Sequence, residues 1–454
     1  MALLSKTPPH IFFINPWIHD FAAYDVWSRP LGLLQLAGMV RSLGFSVSYI
    51  DCLNRFHPKL PESDFLGKQG RGPYHKTPIP KPNGLKDIPR TFSRYGIEPD
   101  WFLSNLAKLP QPDLIFVTSL MSYWYPGVKE TITYLKQVFP ATPILLGGIY
   151  ASLWFPHAQK VCGATEVISH YGEIKLASLF QKYLGTDIPL PFNPLDINTW
   201  PYPAFDLQPH LNHVPLQTSR GCPFSCEYCA SNFLSPSFEK RNWHSVIAEV
   251  RHWYENFGVS QFSFYDDAFL VDATRHAIPF LNALIELNYP ITFHTPNALH
   301  LQKITPQIAS LLYQAGFRTV RLGLETTHFA DRTWDQKASF PDMILAFQFL
   351  KDAGFTQKEV GTYLLAGLPY QNWNDIFTSI EIILSFGITP IPTYYTPIPH
   401  TKMWEIAKQS SRYDLEKDPI FTNNTILPCQ KEPFSWRQIT SLKEKVQQEQ
   451  TNPL

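Results

Sequence analysis

Three cysteines crowd into eight residues, in the run Arg220-Gly221-Cys222-Pro223-Phe224-Ser225-Cys226-Glu227-Tyr228-Cys229. Only a loop can turn thiols spaced C-x3-C-x2-C toward one centre. Thiolates are soft ligands that favour zinc or iron–sulfur centres. A structural zinc site closes with four ligands, and this motif supplies three. A [4Fe–4S] cubane held by three cysteines leaves its fourth iron open to a substrate or cofactor, which turns an electron carrier into a catalyst. Two alternatives stay open here: a zinc site completed by a histidine or by Cys162 or Cys429, and a cluster that only carries or senses electrons.

Other polar and small residues fall just where strands are expected to end. QFSFYDDAF carries the acid pair Asp266 and Asp267, a charged pair that could cap a surface strand. FHTPNALH offers His294 and Asn297, VRLGLET offers Arg321, Gly323 and Glu325, and LLAGLPYQ offers main-chain groups at Leu365 and Gly367. Earlier in the chain, SLMSYW brings Ser119, Met121 and Ser122, and LLGGIYAS brings Gly147 and Gly148.

The elements that must position these residues are legible as apolar periodicity. IFFIN at 11–15 predicts a buried parallel strand. Leu33, Leu36, Ala37, Val40 and Leu43 recur at helical spacing up to Gly44, and Val47, Tyr49 and Ile50 predict a second strand. The pattern returns with LIFVTS, a helix over Val128–Phe139, ILLGG and a helix over Ile174–Leu184. Residues 1–190 therefore read as a doubly wound, Rossmann-like α/β domain. Ligands of such sheets sit beyond the carboxyl ends of the strands at the switch point, which selects the Ser119–Ser122 and Gly147–Gly148 segments. A Pro- and Gly-rich insertion at 54–98 carries Lys68, Arg71, Lys76, Lys81, Lys86, Arg90 and Arg94, and is either a lid offering cations to an anionic ligand or a solvated loop. A Pro-rich linker follows at 191–207. From 208 to 405, six strand patterns alternate with helix patterns, as a partial (β/α)6 TIM-type barrel requires. Active sites of such barrels gather at the carboxyl ends of the strands. Residues 406–454 read as a polar tail with one late helix.

The cysteine run resembles the signature of the radical S-adenosylmethionine (SAM) superfamily, a C-x3-C-x2-C with an aromatic residue before the last cysteine, here Tyr228. The resemblance implies that Cys222, Cys226 and Cys229 hold a [4Fe–4S] cluster whose open iron chelates SAM. An electron from the reduced cluster would then break SAM into methionine and a 5′-deoxyadenosyl radical. It also implies SAM-binding roles for Tyr228, Asp266, Asp267, Asn297 or His294, Arg321, Glu325, and the main chain near Leu365 and Gly367. A doubly wound domain before the barrel resembles the cobalamin-binding class of the superfamily, and RPLGLLQLAGMVRSLGFSVSYIDC is similar to its first helix and second strand. Ser119, Met121, Ser122, Gly147 and Gly148 would then meet the corrin. One departure stands: the Asp-x-His-x-x-Gly loop of many cobalamin folds is absent, and neither His19 nor His75 has that context. The class implies methyl transfer or rearrangement. A methylthio transfer would need a second cluster, and Cys52, Cys162 and Cys429 are too dispersed to suggest one.

Composition narrows the partners. Lys plus Arg equals Asp plus Glu at 38 each, so no overall field draws the chain to nucleic acid or to an anionic membrane. With 44% hydrophobic and 17% charged residues the chain can build large cores, and its 15% aromatics serve either cores or an apolar pocket. No apolar run is long enough to span a membrane and the N-terminus lacks a signal-peptide pattern, so the expected compartment is the cytosol. The expected partners are a small-molecule or lipid-like substrate and a reductant such as flavodoxin or ferredoxin.

Overall fold

A computed structural model describes residues 8–62, 67–329, 332–335, 337–430 and 436–451. The chain divides into two compact units, 1–212 and 213–454.

The first unit is built on five parallel strands: β1 (His10–Asn15), β2 (Ser46–Asp51), β3 (Leu114–Val117), β4 (Ile144–Leu146) and β5 (Glu166–Val167). They lie in the order β5-β4-β3-β1-β2. Successive side chains of a strand face opposite sides, and both sides are covered. Phe12, Ile14, Ile115 and Val117 share a core with helices α2 (Pro99–Leu106) and α3 (Tyr125–Val138). Ile11, Phe13, Leu114 and Phe116 share the opposite core with α1 (Leu31–Ser42) and α4 (Gly172–Leu184). That two-sided burial is why the strands read as continuous apolar runs. The strand order reverses between β1 and β3, which makes their carboxyl ends the switch point.

The 54–98 segment differs from the expected free loop or lid. Its strands Lys76–Pro78 and Ser93–Tyr95 pair antiparallel, the latter also with Ile18–Asp20, and Gly72–Pro73 pairs with Tyr24–Asp25. Arg94 clamps this small sheet by reaching Glu130 at 2.9 Å and Glu98 at 3.3 Å, while His19 meets Glu130 at 2.7 Å.

The second unit carries six parallel strands in sequential order: β6 (Val214–Leu216), β7 (Gln261–Phe264), β8 (Thr292–His294), β9 (Phe317–Glu325), β10 (Val360–Ala366) and β11 (Thr389–Tyr394). Helices α5 (Trp243–Phe257), α6 (Ala277–Leu287), α7 (Pro306–Gln314), α8 (Phe340–Asp352) and α9 (Trp373–Ser385) connect them. Phe264, Phe293 and Phe317 pack ring to ring at 5.2–5.8 Å, so much of the aromatic content fills the core. Proline lacks a ladder donor and is confined to sheet edges. Pro215 lies in β6, Pro390 and Pro392 lie in β11, and β7 to β10 contain none. The prolines thus mark the two open edges of the partial barrel. No helix among the described residues is long and apolar enough to cross a membrane.

Candidate active site at the carboxyl ends of the second sheet

The cysteine loop leaves the carboxyl end of β6, and its base is closed before the first thiol. Ser219–Arg220 pair antiparallel with Glu239–Lys240. Between pair and cysteine, Gly221 takes φ +80°, and a Cβ there would collide with the Ser237 carbonyl oxygen. Only glycine suits that turn. Asp266, just past β7, fixes the same base from the neighbouring strand. Its carboxylate accepts from Thr218 N at 3.0 Å, Thr218 Oγ1 at 2.7 Å and Ser219 Oγ at 2.6 Å. Burial pushes this carboxyl up, and those hydrogen bonds oppose the rise.

Further along, the Phe224 ring packs 4.5 Å from His300, Glu227 N donates to Trp334 O at 2.9 Å, and Met403 N donates to Glu227 O at 2.9 Å. The loop is therefore held from three directions. Cys226 is buried, Cys222 half-buried and Cys229 exposed. Burial pushes the Cys226 thiol up to about 11 and raises Cys222 as well, while the Lys337 ammonium pulls both down. Among the described residues no three His, Cys, Asp or Glu side chains converge as ligands of a single ion would. The cysteines considered for closing a zinc site are placed elsewhere. Cys162 lies in the first unit, 3.3 Å from Tyr150 Oη, and Cys429 is buried with its Sγ 3.8 Å from the Ala407 carbonyl.

Beside the loop lies a charged network that the sequence did not reveal. Tyr228 Oη shares its proton between Glu325 Oε1 at 2.9 Å and Asp335 Oδ2 at 3.1 Å. Lys337 Nζ stands 3.3 Å from the same Glu325 oxygen and 5.4 Å from the centre of the Tyr228 ring. Arg332 Nε closes on Asp335 at 2.7 Å. Burial holds the Tyr228 hydroxyl far above its ordinary range, and the Glu325 and Asp335 charges add to the effect. For Lys337, burial would lower the ammonium pKa, but Glu325, Cys226, Cys229 and Asp335 outweigh it and raise it. Glu325 itself has φ +66°, at a register shift where β9 meets β10. Its second oxygen, Oε2, is buried with no hydrogen-bond partner among the described residues. A buried unpaired carboxylate oxygen is costly and points to a missing donor. Gly323 leaves the room this carboxylate occupies, since a Cβ there would sit 3.3 Å from Glu325 Oε1.

The expected residues separate into two groups. Tyr228, Glu325 and Asp267 come together with the cysteines: Ser231 Oγ lies 3.2 Å from Cys229 Sγ and donates to Asp267 at 3.0 Å. Asn297 follows β8 and is exposed, donating to Tyr265 O at 3.0 Å. The others are engaged in holding the scaffold. Asp266 is saturated by Thr218 and Ser219, as described above. Arg321 lies within β9 and its Nη1 donates to the Val320 and Glu359 carbonyls at 3.1 and 3.3 Å. His294 uses both ring nitrogens, toward Thr319 Oγ1 at 3.0 Å and Gln261 Oε1 at 2.8 Å. At the end of β10, the Gln371 amide takes up Leu365 O at 2.8 Å and Gly367 N at 2.7 Å.

The comparisons with known proteins agree with this arrangement. Residues 216–383 match the model of the radical SAM superfamily. An uncharacterized methyltransferase of Pyrococcus horikoshii is 24% identical over 386 residues, covering 76% of this chain and 77% of that protein. Among solved structures, the radical SAM methyltransferase TsrM from Kitasatospora setae with cobalamin and a [4Fe–4S] cluster bound superposes with a TM-score of 0.63. It is 15% identical, with 89% of this chain and 78% of that chain covered. The same enzyme with tryptophan substrate and a SAM analogue gives a TM-score of 0.62 over 88% of this chain and 76% of that one. The fold likeness thus spans both units, while the family match falls on the strands and loop that carry the three cysteines. Residues 216–383 are a radical SAM domain.

Proposed function

We propose that this chain is a cobalamin-dependent radical SAM enzyme that methylates or rearranges a small-molecule or lipid-like substrate. The observation that carries the reading is a three-cysteine loop at the carboxyl end of β6 in a chain whose other unit is a five-stranded sheet with a switch point. The methyltransferase relative and the cobalamin-bound TsrM neighbour support it.

Cys222, Cys226 and Cys229 would hold the cluster. Glu325 Oε2 would accept a hydrogen bond from SAM, with Tyr228, Asp267 and Asn297 lining the same strand ends. Leu365 and Gly367 would offer their main chain once Gln371 yields it. Asp266 would position the loop through Thr218 and Ser219, and Arg321 would reach SAM only by giving up its carbonyl partners. In the first unit, Leu120 and Met121 are exposed apolar side chains just past β3, and a Cβ at Gly147 would meet the Ile168 carbonyl oxygen at an ordinary contact distance of 3.9 Å. Met121, Ser122 and Gly147 would face the corrin there, while Ser119, whose Oγ donates to Gly147 O at 2.7 Å, and Gly148, held at φ +99° against the Ser119 backbone, would shape the turn beneath it. When bound, the two groups supply one-electron reduction of SAM and a carrier for the methyl group. The electron would come from a flavodoxin or ferredoxin.

The test is anaerobic reconstitution with iron, sulfide and hydroxocobalamin, followed by SAM and reductant. The expected result is a spectrum with both iron–sulfur and corrin bands, and SAM consumption with release of 5′-deoxyadenosine or a methylated product. A chain that takes up the cluster yet consumes no SAM is an electron carrier, and a spectrum without corrin bands removes the cobalamin part.

A further inference from the structure

The first unit holds a concavity that none of the proposed cofactor contacts uses. It runs along edge strand β2, away from the β3 and β4 loops, and encloses about 450 Å³. That volume lies in the range of small-molecule sites, roughly 300–1,000 Å³. One wall is a stack of rings. The Trp101 indole lies parallel to His57, with centroids 5.0 Å apart and planes at 10°, and His75 stacks on the same indole at 5.7 Å.

Two lysines line the cavity, and so does the Asp51 carboxylate, which accepts from Asn15 Nδ2 at 2.7 Å and from Leu53 N at 2.9 Å. Lys59 Nζ lies 5.8 Å from the indole centre, and Lys108 also lines the cavity. Neither lysine has an ion-pair partner among the described residues, where the paired lysines are Lys182, Lys240, Lys337, Lys408 and Lys445. Burial lowers the His57 pKa, Asn105 opposes the drop, and both lysines add to it. On the floor, the Tyr49 hydroxyl is buried beside the Asp51 carboxylate. Flat π faces select a planar ring, and unpaired ammonium groups select an acid on its edge.

We propose that this cavity binds a planar aromatic anion, with its ring against the Trp101–His57 stack and its carboxylate or phosphate toward Lys59 and Lys108. None of its lining residues is assigned above to the cluster, SAM or the corrin, so the proposal stands even if the reading of the function above fails.

The test is calorimetric titration of the cluster-loaded full chain with two probes, indole-3-acetate for a carboxylate and adenosine monophosphate for a phosphate. Indole-3-acetamide and hexanoate serve as the uncharged and the ring-free counterparts. At least one probe anion is expected to bind with Kd below ~1 mM, and its counterparts at least tenfold more weakly, a difference of about 1.4 kcal/mol. The double variant Lys59→Met/Lys108→Met, both exposed positions, should lose roughly tenfold in affinity with no change in thermal midpoint, and Trp101→Leu should lose as much. Absence of binding by both anions up to ~5 mM, equal binding of the uncharged amide, or full affinity in the lysine variant each overturns the proposal. Should Trp101→Leu fail to fold, the lysine variant still decides.

Discussion

Glu325 keeps a backbone conformation that costs a non-glycine residue roughly 1–3 kcal/mol, at the point where Tyr228 and Lys337 meet its carboxylate. Strain of that kind persists only where the surroundings enforce it. Lys337 is the nearby cation, and its charge is felt at Cys222, Cys226 and Asp267 as well. Replacing Lys337 with Met leaves the Glu325 carboxylate in a buried site without its ion partner. The expected loss is about 3 kcal/mol of unfolding free energy, with part of it recovered in Lys337→Met/Glu325→Gln, as read from denaturant midpoints. A double variant as unstable as the single one would show that the pair is not coupled. Gly221→Ala is the second case at this scale. The left-handed turn and the Ser237 carbonyl together predict a loss of roughly 2 kcal/mol or more and a fall in iron uptake. Wild-type stability and iron content in that variant would remove the need for glycine at the base of the loop.

Elements bring these residues together, and the small antiparallel sheet of the first unit shows how a charged clamp sets pH dependence. Burial alone would raise the Glu130 and Glu98 carboxyls. His19 and Arg94 for Glu130, and Thr77, His75 and Arg94 for Glu98, outweigh it and hold both below their ordinary value. A carboxyl depressed in the folded state contributes stability that is complete above its unfolded pKa, about 4.3, and lost as pH falls through the folded one. The thermal midpoint should therefore drop as pH is lowered through about 4, and Glu98→Gln/Glu130→Gln should flatten that drop. Identical acid slopes in the two proteins would exclude the clamp as its source. The elements that were legible in the sequence are those with several apolar residues in period: α5 spans Trp243–Phe257 as expected, and the Leu114–Val117 strand is buried throughout. Two-residue β5 and the three-residue strands at Ile18–Asp20 and Lys76–Pro78 are too short to carry a period. Helix α2 begins at Pro99 and buries Phe102 and Leu106, and its eight residues are short for an apolar period. At the site, the cysteines were legible because their spacing is local. The Glu325–Lys337–Asp335 network was not, since its members meet only through tertiary folding, and nothing in a sequence separates Asp266, spent on Thr218 and Ser219, from an acid that faces a ligand.

At the scale of the molecule, both units use one principle: parallel strands deliver functional loops at their carboxyl ends while helices bury the faces. In the first sheet the reversal of strand order opens the crevice. In the second, proline on both edge strands keeps the sheet open and the first strand hands directly to the cysteine loop. The enzymatic reading depends on that loop gripping iron through three sulfurs. The direct test is iron and acid-labile sulfide analysis of anaerobically reconstituted wild type beside the Cys222→Ala/Cys226→Ala/Cys229→Ala variant. Wild type should hold about four iron and four sulfide per chain, and the variant close to none. A variant that keeps its iron, or a wild type that binds zinc in its place, would contradict the account.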